Sequence, residues 1–129
     1  MTWPDVEIEL VAWLSAQRGG GVTVLTELPA NLGDLLPVVQ VQRVGGDDDT
    51  FKLDRALVDV DVYAPTRAGA SLLARQVRDD LVMKLRGTST AAAVFGLVTT
   101  VSAPQWRPYE NINLRRLGAT YELYFHPVS

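Results

Sequence analysis

The chain has 129 residues and a formal net charge of −3 at pH 7. This length suits one domain spanning residues 1–129, and the negative charge argues against a fold that attracts nucleic acid as a whole. The chain has no cysteine and a single histidine, His126, which excludes disulfides, thiolate chemistry and any site that needs two histidines from one subunit.

The N-terminal segment predicts an amphipathic helix from Thr2 to Arg18. Thr2 is placed to cap this helix, and Pro4 is tolerated in its first turn. The three glycines at positions 19–21 are predicted to end it, because glycine readily adopts the backbone conformation that closes a helix. One apolar stripe at helical spacing is expected to face the core: Trp3, Val6, Leu10, Trp13 and Leu14.

Short strands are predicted after this helix. The patterns favour strands at residues 22–25, 38–44 and 55–63, of which the last alternates most regularly. Residues 27–37 contain two prolines and predict a loop. Residues 45–50, GGDDDT, predict a turn or a mobile loop.

A second helix is predicted from Arg67 to Arg86. Pro65 would end the preceding strand, and Thr66 is placed to cap the helix. The spacing of its apolar residues predicts a buried stripe: Ala70, Leu73, Ala74, Val77, Leu81 and Leu85.

Two further strands, at residues 94–102 and 117–126, are predicted near the end of the chain. Residues 104–116, PQWRPYENINLRR, lie between them and contain two prolines and two asparagines, which favours an extended connection at a hairpin tip. The order of elements predicts an α+β fold: a largely antiparallel β-sheet, two main α-helices packed on one face, and a long β-hairpin arm.

Asp59 and Asp61 are the first candidates for chemistry. Alternate residues of a strand point the same way, so the two carboxylates would lie on one face, about 7 Å apart. Such a pair can hold Mg²⁺ when a phosphate substrate completes the shell, and Asp54 or Glu122 could supply a third carboxylate. The strict alternation with valine favours a simpler interpretation, in which the aspartates lie on a solvated or interface face of the strand. We therefore predict no catalytic residue, no cofactor and no metal.

The connection between the last two strands is rich in arginine and aromatic residues. These residue types are typical of anchors at protein interfaces, although a nucleic-acid patch or a plain surface could also contain them. The arm is predicted to be mobile in an isolated subunit, and its arginines are predicted to pair with acids of a neighbouring subunit. The predicted interface residues are Trp106, Arg107, Tyr109, Arg115, Arg116, Asp47, Asp48 and Asp49.

Nearly the whole chain resembles the tail terminator proteins of long-tailed bacteriophages, especially those of actinobacterial hosts. The most specific stretch is DVDVYAPTRAGASLLARQVRDDL at residues 59–81, where a strand leads into a helix through a Tyr-Ala-Pro-Thr-Arg turn. The second match is the arginine-rich start of the last strand, RRLGATYELYFHP, at residues 115–127.

This resemblance implies a structural protein of the virion tail or neck, assembled in the host cytoplasm, and not an enzyme. It implies a homo-oligomeric ring of six subunits that contacts the tail tube protein and the head-tail connector or neck proteins. DNA would pass through the ring without specific binding, and no membrane would be involved. Two alternatives remain: another head-tail joining protein, such as a head completion or stopper protein, and a small metal-dependent enzyme that uses Asp59 and Asp61.

Overall fold

The structure, a computed structural model, describes residues 3–50 and 53–128, apart from the side chains of Asp49 and Thr50. In this part of the chain the elements are α1 (Val6–Arg18), β1 (Thr23–Leu25), β2 (Val38–Thr50), β3 (Leu53–Ala64), α2 (Arg67–Asp79), β4 (Ala93–Trp106) and β5 (Arg115–Pro127). A short 3₁₀ turn spans Leu32–Asp34, and π-helical turns at Asp80–Leu85 continue α2.

The five strands form one sheet in the order β1-β2-β3-β5-β4. β1 runs parallel to β2, whereas the other three neighbouring pairs are antiparallel. One face of the sheet carries the alternating apolar residues of β3 and β5, and both helices pack on it to form the main core. The predicted α+β class and its largely antiparallel sheet are thus confirmed.

The first helix begins later than its sequence predicts. Asp5 caps it, because its carboxylate accepts hydrogen bonds from the backbone N–H groups of Glu7 and Ile8. The helix therefore starts at Val6, and the predicted cap, Thr2, lies outside the described residues. The buried stripe consists of Val6, Leu10 and Leu14. The prediction of a core position is wrong for Trp3, which precedes the helix and is exposed.

The second helix agrees with its prediction. Thr66 caps α2 by accepting a hydrogen bond from the N–H of Gly69. All six residues of the predicted stripe are buried, and the helical path continues through the π-helical turns to Leu85. In these turns, fully buried Asp80 forms an ion pair with Arg18 at 2.6 Å, which ties the end of α1 to the extension of α2.

Strands β2 to β5 are all longer than predicted, and the prediction of a turn or mobile loop at residues 45–50 is wrong. These residues belong to β2, which stays paired with β3 across two register shifts. Gly46 adopts a positive φ of 95°, and a Cβ there would collide with the backbone of Arg55. The glycine pair therefore marks a β-bulge within a continuing strand. β4 likewise continues to Trp106, two residues past the proline predicted to begin the connection.

A second, smaller apolar cluster lies away from the main core. Leu32, Val38, Tyr63 and Leu114 form its buried centre. It joins the loop between β1 and β2 to residues 107–114, which connect β4 to β5. This connection therefore packs against its own subunit.

Candidate functional site

Asp61 lies at the centre of a buried ion-pair cluster on the sheet face that the helices leave open. It is 2% exposed. Its two carboxylate oxygens accept hydrogen bonds from Arg107 at 3.0 Å and Arg116 at 2.7 Å. Asp59 is more accessible, lies 3.7 Å from the Arg107 guanidinium and accepts a hydrogen bond from the Thr120 hydroxyl. The prediction of a solvated or interface position is therefore wrong for Asp61, because the connection folds back and two arginines of the same subunit cover its carboxylate.

Gly118 provides the space that this cluster needs. It pairs directly with Asp61 across β3 and β5. A Cβ at position 118 would collide with the Asp61 carboxylate and the Arg107 guanidinium. The absence of a side chain at this position therefore allows the arginine to reach the aspartate.

Tyr63, two residues after Asp61 on β3, makes further contacts with the β4–β5 connection and with the loop between β1 and β2. Its hydroxyl donates a hydrogen bond to the side-chain carbonyl of Gln40 at 3.1 Å, and the Gln40 amide donates to the backbone carbonyl of Thr26. The ring of Tyr109 packs edge-on against Tyr63, with centroids 5.3 Å apart. Burial raises the pKa of Tyr63 to about 12. Polar and aromatic contacts thus lock the connection and the β1–β2 loop onto the sheet.

The predicted interface residues of the arm fall into two groups, one exposed and the other held by contacts within the subunit. Trp106 is 37% exposed, and the guanidinium of Arg67 stacks over its ring at 4.1 Å. Arg115 is exposed and donates to the backbone carbonyl of Ile112. The other three residues make contacts within their own subunit, with the cluster and with Tyr63, which the sequence did not predict: Arg107, Tyr109 and Arg116.

The predicted acidic partners lie at the end of the β2–β3 hairpin. Asp47 forms a surface ion pair with Arg55 at 3.0 Å, and its side chain is 74% exposed. Asp48 is also exposed. The side chain of Asp49 lies outside the part of the chain that the structure describes. We call residues 47–49 the acidic tip.

Sequence reasoning missed a basic groove between α2 and β4. It has a volume of about 270 Å³. The helical spacing of the arginines in α2 was the available signal, but only the fold places them beside the end of β4. We call it the α2–β4 groove, and its main lining residues are Arg75, Arg78, Ala103, Pro104, Trp106 and Leu117.

The carboxylates do not gather into a metal centre in the described residues. Within residues 3–48 and 53–128, no group of three His, Cys, Asp or Glu side chains is placed to hold a metal ion. Both oxygens of Asp61 are engaged by arginines, and Asp54 is bound by both terminal nitrogens of Arg43 at 2.7 and 2.8 Å. Glu122 therefore does not complete a set of metal ligands with the two aspartates. The described helices are also too short or too polar to cross a membrane.

Comparisons with known proteins give one family and one fold. The model of a family described as phage tail termination protein matches residues 2–127. Among solved structures, the chain is similar to a chain from the virion of a native gene transfer agent particle, with a TM-score of 0.63 and 18% sequence identity. That match covers 94% of this chain and 90% of the other, and at this identity it shows a shared fold. No curated protein sequence matches the chain.

Proposed function

The chain belongs to the phage tail termination protein family, a family of structural proteins of the phage tail rather than of enzymes, and we propose that it caps the tail tube at its final length. The observation that carries the proposal is the family match over residues 2–127. The resemblance seen in the sequence is confirmed at the level of the family. Capping would stop addition of tube subunits and present a surface to the head connector or neck proteins.

We propose a closed ring of identical subunits, with six copies as the resemblance implies. Both edges of the sheet, β1 and β4, lack a partner strand within the described part of the subunit. Residues 87–90 bond to the first residues of β4, so β1 and the rest of β4 are available to a neighbour. Different edges meeting between copies give a head-to-tail contact, which closes into a ring when the rotation between subunits permits.

The sheet face opposite the helices suits a channel for DNA. Arg107 and Arg116 lie on this face, and their two positive charges are balanced by Asp61, which pairs with both, and by Asp59, which lies 3.7 Å from Arg107. Affinity for DNA comes largely from cations that contact phosphates. A face whose arginines are already paired would therefore let DNA slide through the ring without specific binding.

Electron microscopy of lysates tests the proposed function. Particles produced without this protein are expected to include filled heads without joined tails, together with tails of abnormal length. Wild-type protein supplied in trans is the control and should restore uniform, joined tails. Tails of normal length that simply fail to attach would contradict tail capping and indicate a neck protein instead.

A further inference from the structure

The helix α2 and the turns that continue it present a cationic surface on an acidic protein. Residues 67–86 contain five basic and two acidic residues, although the whole chain has a net charge of −3. One of the two acids, Asp80, is fully buried and paired with Arg18 and Lys84. Asp79 is thus the one acid of this segment left at the surface, and the outer side of α2 is strongly positive.

The α2–β4 groove concentrates this charge beside an aromatic side chain. Arg75 and Arg78 line one wall, and Trp106, under the Arg67 guanidinium, lies at the other. No acid within residues 3–48 and 53–128 forms an ion pair with any of these three arginines. A partly exposed tryptophan beside arginines is the combination enriched in protein-interface hot spots.

The acidic tip is the complementary surface on the same chain. Residues 45–50 contain three aspartates and no basic residue, and the side chain of Asp47 is largely exposed. The tip belongs to the β2–β3 hairpin, and β5 separates β3 from β4 in the sheet.

The groove and the tip also lie at opposite ends of the strands. β3 meets β5 near the tip at the pair Asp54–Phe125, whereas β4 meets β5 near the groove at the pair Trp106–Leu117. One subunit can therefore use its groove and its tip at the same time, with two different neighbours.

We propose that the α2–β4 groove binds the acidic tip of a second copy of this chain. This inference rests on the proposed ring and names the contact that builds it. Arg75 and Arg78 pair with Asp47 and Asp48 of the neighbour, and Trp106 supplies the apolar anchor. The contact joins different surfaces of the two copies, so repetition gives a head-to-tail assembly that closes into a ring when the rotation between subunits permits. It also replaces the predicted pairing of the acidic tip with Arg107 and Arg116, which Asp61 already engages.

A groove with these residues could also bind nucleic acid, because arginine pairs with phosphates and tryptophan stacks on bases. The acidic tip favours a protein partner, because it supplies complementary charge from the same chain in equal copy number. Nucleic-acid binding is therefore an outcome that the experiments must distinguish.

A charge exchange across the contact is the first part of the test. Arg78→Glu and Asp48→Arg should each reduce the yield of joined, normal-length particles at least about ten-fold when the variant replaces the wild type, because each places like charges together. The combination should recover most of that yield. Arg86→Glu and Asp34→Arg make the same charge changes at exposed positions outside the groove and the tip, and should assemble like wild type.

Cross-linking of purified protein is the second part of the test. The chain has no native cysteine, so only the introduced cysteines react. Proteins carrying only Asp48→Cys or only Arg78→Cys are treated with a short bifunctional maleimide, separately and as a mixture. The proposed contact gives covalent dimers in the mixture and few in either protein alone. Dimers formed equally well by each protein alone, or absent from the mixture, would overturn it.

The two parts separate failure of this contact from failure of the proposed function. If wild-type protein restores tail length and both single charge variants do so equally well, tail capping stands and the contact is wrong. If tails have normal length without the protein, tail capping fails, and the cross-linking result still decides the contact. If Arg75→Glu, added to the Arg78→Cys protein, lowers retention on duplex DNA but leaves the mixed cross-link unchanged, the groove binds nucleic acid and the proposal is wrong.

Discussion

The two hairpin ends of the sheet both carry charged residues but use them for opposite purposes. The β4–β5 connection contains arginines and a tyrosine that bind Asp61 and pack on Tyr63 of their own subunit. In the acidic tip of the β2–β3 hairpin, Asp47 and Asp48 are exposed, and Asp47 forms one weak surface pair with Arg55. Residue type therefore does not identify an interface in this protein. What matters is whether the fold places a partner within reach in the same chain.

The difference follows from desolvation. Asp61 has lost almost all contact with solvent, and such a carboxylate is tolerated only when cations and hydrogen bonds replace the water. Asp47 keeps its water, so its pair with Arg55 adds little to folding. A buried charged residue such as Asp61 stabilises its own subunit, whereas an exposed one such as Asp47 remains available to a neighbour.

Removal of the buried carboxylate should have the largest effect on stability. Asp61→Ala leaves Arg107 and Arg116 without their partner and should cost roughly 3 kcal/mol, the lower part of the range for breaking a buried pair, because both arginines keep some exposure. Urea denaturation measures the loss. Asp59→Ala is the matched control and should cost clearly less, since its side chain is 27% exposed. Equal costs for the two variants would remove the distinction between a buried and a solvated position.

Filling the space beside Asp61 should have the next largest effect. Gly118→Ala forces the Asp61 carboxylate or the Arg107 guanidinium to move, and overpacking of this kind costs about 1–3 kcal/mol. Gly96→Ala is the control, because a Cβ there meets its nearest atoms at 3.6 Å, an ordinary contact distance. Thermal unfolding of both variants checks this, and a stable Gly118→Ala protein would show that the cluster is loosely held.

Tyr63 should give a smaller effect with a distinctive pH dependence. Tyr63→Phe removes the hydrogen bond to Gln40 and should cost about 1 kcal/mol at neutral pH. The pKa of Tyr63 is raised from 10.0 to about 12 in the folded state, so the unfolded chain loses this proton first as pH rises. The stabilisation is complete below pH 10 and is lost towards pH 12.

Denaturation curves between pH 9 and 12 measure this dependence. The wild type should lose stability more steeply than Tyr63→Phe in that window. Some slope should remain in the variant, because burial also raises the pKa of Tyr121 to about 12. Parallel curves for the two proteins would contradict the burial of the Tyr63 hydroxyl.

The acidic tip should show the smallest effect on folding. Asp47→Asn combined with Asp48→Asn should leave the melting temperature unchanged within error, because both side chains are exposed. The same variant should impair assembly, which analytical ultracentrifugation of the concentrated protein would detect. A large fall in melting temperature would show that the tip belongs to the subunit's own stabilising contacts.

Local sequence signals predicted the helices, the strand centres and the α+β class. The stripe of α2, the Thr66 cap and the alternation in β3 depend on neighbouring residues, which the sequence shows directly. The bulge at Gly46 could not be predicted in the same way, since two glycines before three aspartates are also typical of a turn. The burial of Asp61 depends on Arg107 and Arg116, which lie 46 and 55 residues further along the chain. A local sequence pattern does not show that they reach Asp61.

The interface stays a prediction, and the structure divides its residues into two groups. Asp47, Asp48 and Trp106 are exposed, whereas Arg107, Tyr109 and Arg116 make contacts within the subunit. The basic groove was missed because its two walls come from α2 and β4, which are distant in sequence. The arginines on the surface of α2 can be assigned to a groove only when the position of β4 is known.

Hydrogen–deuterium exchange of the isolated subunit and of the assembled protein tests the distinction between the two hairpin ends most directly. We expect the amides next to the buried cluster, at Arg107 and Leu114, which bond to the backbone carbonyls of Arg116 and Asn111, to be equally protected in both states. We expect the acidic tip and the α2–β4 groove to gain additional protection on assembly. Protection of the connection that appears only on assembly, with an unchanged tip and groove, would contradict the account.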